Sequence, residues 1–237
     1  MFDAIKTIGG RAGFLGFVLC TAPLLIQPTP SHAALIINPG YSGSISAGNG
    51  NDVINTTFGV ETFTGYFGST ISQAGLTDLQ YDLLGFEAGY ANKYRSFDPT
   101  GGVFRTEDFA PDNNVAASSI AAPLGSFTSA GVNGVLDFRF SVNGGASGVS
   151  NEGNPWNTLW AWFGFAVPNF FANQLEDGSV VLWLDDAGAG PDRDYDDMVI
   201  RISEVVPTPL PPALPLFLVG VASLAWWRRK QRSQGAG

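Results

Sequence analysis

Val135-Leu136-Asp137-Phe138-Arg139-Phe140-Ser141-Val142 alternates apolar and polar side chains with a period of two. Leu136, Phe138, Phe140 and Val142 fall on one face of an extended chain, and Asp137, Arg139 and Ser141 on the other. That is the pattern of a strand in an antiparallel sheet with one buried side. Leu79 to Leu83 repeats it, and Ser179 to Leu184 and Met198 to Ile202 read as two further strands. Asn55 to Phe67, Gly102 to Arg105 and Leu159 to Val167 are additional candidates. Glycine-rich turns separate these segments, no amphipathic helix stands out, and no repeat of fixed period runs through them. The expectation is an all-β fold, an antiparallel β-sandwich of jelly-roll type spanning residues 34–205.

Both ends of the chain read as addresses. At the N-terminus, Lys6 and Arg11 precede an apolar stretch from Ala12 to Ile26, and small residues flank a cleavage point after Ala33. Residues 1–33 are therefore expected to be a signal peptide. Cys20 is a poor lipidation site because Leu19 precedes it. At the C-terminus, prolines 207, 209, 211 and 212 fix φ and remove backbone donors, so 206–212 should be an extended linker. Residues 213–227 carry no charge and are expected to form one transmembrane helix, short against the usual span of about 20 residues. Trp226 and Trp227 suit the headgroup level. Arg228, Arg229, Lys230 and Arg232, within 228–237, match a cytoplasmic stop-transfer tail.

Cleavage after Ala33 would remove the one Cys, Cys20, and the one His, His32. The remaining domain then has no thiol and no imidazole, which excludes Cys-His and Ser-His-Asp nucleophiles and the usual zinc ligand sets. Residues 34–205 hold six basic and twenty acidic side chains, a formal charge of −14. That sign argues against nucleic acid and anionic lipid as partners for the domain, whereas hard cations are compatible with it.

The acid is concentrated between the last two strands. Asp185, Asp186, Asp192, Asp194, Asp196 and Asp197 place six carboxylates in thirteen residues. Like charges that close repel unless a cation compensates. The alternate spacing of Asp192, Asp194 and Asp196 lets a tight loop aim oxygens at one calcium ion. An EF-hand is rejected, since Asp197 and Ile202 stand where that loop requires Gly and Glu. Two readings remain: a calcium site, or a solvated turn whose aspartates cap backbone amides.

The segment from Leu182 through Ile202, followed by Val206-Pro207-Thr208-Pro209 and the apolar-basic tail, resembles the C-terminal half of PEP-CTERM proteins, exported proteins of Gram-negative bacteria. Gly85 to Asn92 also resembles a segment recurring in some of their ectodomains. Thr208 replaces the central Glu of the name-giving tripeptide, and the motif approaches the Val-Pro-Leu-Pro-Ala variant. The resemblance implies an inner-membrane-anchored precursor, recognition of residues 206–209 by an exosortase-like enzyme, and a product at the cell surface or outside it, associated with extracellular polysaccharide.

Three functions fit these observations. The first is a non-catalytic surface or matrix protein, stabilised by calcium. The second is a carbohydrate-binding module, in which Trp156, Trp160 and Trp162 stack on sugars, with Trp160 and Trp162 on one strand face; the same rings would equally serve a core. The third is a hydrolase using two of Glu61, Glu87, Glu107, Asp108, Glu152 and Glu176, although nothing in their spacing sets a pair. The expectation is the first, without enzymatic activity.

Overall fold

The computed structural model describes residues 34–88, 91–97, 101–105, 116–142, 147–156, 167–187, 194–205, 217, 220–226 and 228. The chain divides into two compact units, Met1–Ser31 and His32–Gly237, and every described residue belongs to the second. The expected signal peptide, the proline motif at 206–209 and the basic residues 229, 230 and 232 lie outside the description. Within the expected membrane span, residues 217 and 220–226 are helical and exposed. Among the described residues no helix is long and apolar enough to cross a membrane.

The fold is all-β, and every described strand pairing is antiparallel. A three-stranded sheet contains β1 (Ala34–Asn38), β4 (Thr70–Ala74) and β10 (Gly134–Val135). A four-stranded sheet runs β12 (Ser147–Ser150), β11 (Phe138–Val142), β6 (Lys93–Ser96) and β7 (Val103–Arg105). The eight-stranded sheet runs β2 (Tyr41–Ser46), β3 (Thr62–Phe67), β13 (Asn169–Gln174), β14 (Val180–Asp185), β15 (Met198–Glu204), β5 (Leu79–Phe86) and β8 (Ala116–Ala117). Strand β9 (Gly125–Ser129) also pairs with β5.

The large sheet packs one face against both smaller sheets, as in a sandwich. Leu79, Tyr81, Leu83, Val180, Leu182, Leu184, Met198, Ile200 and Ile202 point into that interface. Phe138, Phe140 and Val142 meet them from β11, as the period-two reading expects. Its opposite face is buried too. Val181, Trp183 and Val199 there pack under Ile45, Val53 and Ile54. The run Val180–Leu184 and, apart from Arg201, the run Met198–Ile202 are apolar without alternation because both faces of β14 and β15 are covered. The expectation of a sheet with one solvated side is corrected for these central strands.

Two segment readings also change. Residues 135–142 do not form one strand: β10 pairs with β4, the chain turns at Leu136 and Asp137, and β11 joins the other sheet. Leu136 N–H donates to Ile71 O at 3.0 Å, whereas Phe97 N–H donates to Asp137 O at 2.9 Å, so the chain changes partners at this point. Residues 55–67 are a strand only from Thr62. Ile54–Phe58 is a π-helical turn, and Asn51 Oδ1 accepts the Ile54 N–H at 2.8 Å where it begins. Gly59, at φ 65°, ends it.

One core residue breaks the usual rule of satisfied polar groups. Tyr94 is fully buried among Phe138, Phe140 and Tyr81, and its hydroxyl has no hydrogen-bond partner among the described residues. Burial, with a smaller contribution from Tyr81, pushes the phenol pKa upward. Tyr94→Phe removes an unpaired buried hydroxyl while keeping the ring, so it should raise stability by about 1 kcal/mol. Urea unfolding measures this, and a lowered midpoint would mean that the hydroxyl is held after all.

Candidate functional site

The acidic loop sits where three strands end. Strand β14 finishes at Asp185, β15 starts at Met198, and β5 finishes at Phe86, just before Glu87. The pairing of Leu184 with Met198 and of Val199 with Gly85 brings these ends side by side. Glu87 N–H donates to Asp196 O at 2.8 Å, which fixes the loop onto the end of β5. From the other direction, the segment before the π-helical turn closes on the same loop. Asn51 Nδ2 donates to Asp194 O at 2.6 Å, and Asp52 N–H donates to Asp196 Oδ2 at 3.0 Å.

Tyr195 anchors the loop. It holds φ 62°, a left-handed conformation costly for a bulky side chain. Its ring is buried against Phe67 and Phe171, at 5.3 and 6.4 Å between centroids. Inward packing of Tyr195 leaves the flanking Asp194 and Asp196 to meet the neighbouring segments.

Two groups of carboxylates result. Asp196 is completely buried, and burial followed by the charges of Asp194 and Glu87 pushes its pKa up to about 8. Glu87 is likewise raised, by burial and then by Asp52 and Asp194, against a hydrogen bond to Asp196 that lowers it. In the second group, burial and the Asp186 charge raise Asp197, opposed by the Asp186 N–H donated to Asp197 Oδ2 at 2.7 Å. Asn92 Nδ2 donates to Asp186 Oδ2 at 2.7 Å. Asp185 and Asp186 are both buried. Asp194 acts on both groups.

Five of the six expected calcium ligands, Asp185, Asp186, Asp194, Asp196 and Asp197, thus come together, and Asp192 lies outside the described residues. Asp185, Asp186 and Asp196 are buried and Asp194 and Asp197 half-buried, so the turn is not freely solvated, while Asp196 and Asp197 do cap backbone amides, those of Asp52 and Asp186. Among the described residues, no three carboxylates converge as a formed metal shell. The sequence reading missed Asp52, which lies 144 positions from Asp196 and reaches it only through the fold. Glu87, one of the six hydrolase candidates, packs on the acidic loop.

The other candidates separate. Glu61, Glu152 and Glu176 are exposed, and Glu107 and Asp108 lie outside the description. A cleft of about 450 Å³ lined by residues 35–37, 64–66 and Gln174 has no carboxylate in its wall. Trp156 is 43% exposed and stacks on Tyr41, itself 52% exposed, with ring centroids 4.5 Å apart. Trp160 and Trp162 lie outside the described residues.

Compared with protein-family models, with curated proteins and with solved structures, the chain gives no match.

Proposed function

We propose that the chain is an exported, non-catalytic protein of the cell surface or extracellular matrix, with residues 34–205 as a jelly-roll-type sandwich stabilised by calcium. Residues 1–33 direct export. The helix at 213–227 holds the precursor in the inner membrane, and residues 206–209 present it to an exosortase-like enzyme. The product associates with extracellular polysaccharide.

The observation that carries this reading is the packing of the acidic end. Asp196 is completely buried, and the half-buried Glu87 carboxyl lies against it, its charge raising the Asp196 pKa. The two carboxyl groups of a glycosidase stand about 5 Å or more apart, with substrate between them. A buried, mutually repelling set of carboxylates suits a structural cation better than acid-base catalysis.

Intact mass of the protein recovered from the cell surface or medium tests the reading. The expected mass corresponds to residues 34 to about 207. Recovery of the full C-terminus in a stable membrane fraction would contradict processing.

A carbohydrate-binding role is a second reading, supported by the exposed Trp156–Tyr41 stack. A flat ring braced from behind presents its outer face to a sugar at little entropic cost. Trp156→Ala should abolish retardation of the protein in gels containing matrix polysaccharide. Unchanged mobility of the unaltered chain in such gels removes this reading.

A further inference from the structure

We infer that Asp196 and Glu87 are the inner ligands of a calcium site completed by Asp52 and Asp194, so that one ion ties together three segments distant in sequence. The inference rests on the calcium reading above and supplies its ligand set, which differs from the one legible in the acidic loop alone.

The Asp196 side chain carries the argument. It is completely buried, and its two oxygens are treated differently by the fold. Oδ2 accepts the Asp52 N–H at 3.0 Å, whereas Oδ1 has no hydrogen-bond donor among the described residues. Glu87 Oε2 is also shielded from solvent and has no donor among the described residues. An ionised carboxylate oxygen buried without a donor is among the costliest arrangements in a protein, and a bound cation removes that cost.

The neighbouring charges point the same way. Those acting on Asp196 are Asp194, Glu87 and Asp52, all acidic. Arg201 of β15 is engaged further along the strand with Asp82, Asp177 and Ser179. The demand for positive charge at the acidic end is therefore not met from that quarter. Calcium accepts six to eight oxygens in flexible geometry, so two direct carboxylates with carbonyls and water satisfy it. Magnesium demands a near-ideal octahedron and gives up its water reluctantly, which suits irregular, buried carboxylates less well.

The position explains what the ion would do. Asp52 precedes the π-helical turn whose Ile54 covers the outer face of the large sheet, Glu87 follows β5, and Asp194 and Asp196 lead into β15. A cation here fastens the cover over Trp183 and Val199 to the sheet beneath it.

Calorimetric titration of the full chain with calcium, and separately with magnesium, provides the test. The variants are Glu87→Gln, Asp197→Asn and Glu176→Gln, the last on the exposed turn at the opposite end of β14. Glu87→Gln should weaken calcium binding by at least about tenfold, and Glu176→Gln should bind as the unaltered chain does. In chelator, Glu87→Gln should melt no lower than the unaltered chain, because it removes a repelled charge and keeps the shape. A lower melting point in chelator would make Glu87 a structural hydrogen-bond partner and overturn the assignment. Normal affinity in Glu87→Gln with loss in Asp197→Asn would move the ion to the Asp185–Asp186–Asp197 group, overturning this ligand set but not the calcium reading. Magnesium binding as tight as calcium overturns the choice of ion. No uptake of either ion by the unaltered chain removes both the inference and the calcium reading.

Discussion

Asn151→Ala should lower the stability of the domain by about 4 kcal/mol, since it orphans two buried backbone groups, Ile71 N–H and Leu136 O, that each cost about 1–3 kcal/mol when unpaired, while Ile71 O keeps the Leu136 N–H. Asn151 is 2% exposed. Its Oδ1 accepts the Ile71 N–H at 2.7 Å, and its Nδ2 donates to Ile71 O and Leu136 O, both at 2.7 Å. Ile71 belongs to β4, and Leu136 is the residue at which the chain leaves one small sheet for the other. One amide therefore stands in for a missing strand at the seam between the two sheets. Asn151→Asp keeps the acceptor and loses both donors, so it should be nearly as damaging. Thermal unfolding reads the effect as a midpoint about 8–16 °C lower for a domain of this size. A loss below about 1 kcal/mol would mean that the seam closes without the side chain.

Arg201→Met should cost about 3 kcal/mol. Arg201 bridges three groups: Nε donates to Ser179 Oγ at 3.0 Å, one terminal nitrogen to Asp82 Oδ2 at 3.4 Å, and the other to Asp177 Oδ2 at 2.6 Å. Asp82 is 1% exposed, and its Oδ1 accepts from Ser126 Oγ at 2.6 Å and Gln80 Nε2 at 2.8 Å. Removing the arginine leaves a buried carboxylate with hydrogen bonds but no opposite charge, the situation in which a broken buried pair costs about 3–5 kcal/mol. The two neutral donors place the effect at the lower end of that range. Asp177 is exposed, so its pair with Arg201 contributes only about 0.5 kcal/mol, and Asp177→Ala, which also loses the bonds that Asp177 Oδ1 accepts from Ser179 N–H and Oγ, should cost about 1.5 kcal/mol. Adding Asp82→Asn to Arg201→Met should restore part of the loss, because no buried charge then remains. Urea midpoints of the three variants check the order, and equal losses for Asp177→Ala and Arg201→Met would show that the buried pair is not what matters.

Local pattern and long-range placement were legible to different degrees. The alternation through Phe138, Phe140 and Val142 identified a strand and its buried face, because period two is a local property of the chain. The break at Leu136 was invisible, since it depends on Asn151 supplying the hydrogen bonds of a strand from fifteen positions away. Val180–Leu184 was readable as a strand. Its burial on both faces was not, because the second cover comes from Ile45, Val53 and Ile54 at the other end of the domain. Asn55 and Thr56-Thr57-Phe58 have strand-like composition, yet they form a helical turn between the Asn51 cap and Gly59 at positive φ. The density of aspartates from 185 to 197 announced a charged site. The arrival of Glu87 and Asp52 depends on the register of β5 against β15, including an irregularity between Val199 and Ile200, which no local pattern encodes.

Thermal unfolding of the full chain at neutral pH, in calcium and in excess chelator, tests most directly whether the acidic end is fastened by an ion. Calcium at about a hundred times its Kd adds about 2.7 kcal/mol to the folded state, so the midpoint should fall by about 5–11 °C when chelator is added. Superimposable curves in the two conditions would contradict the account.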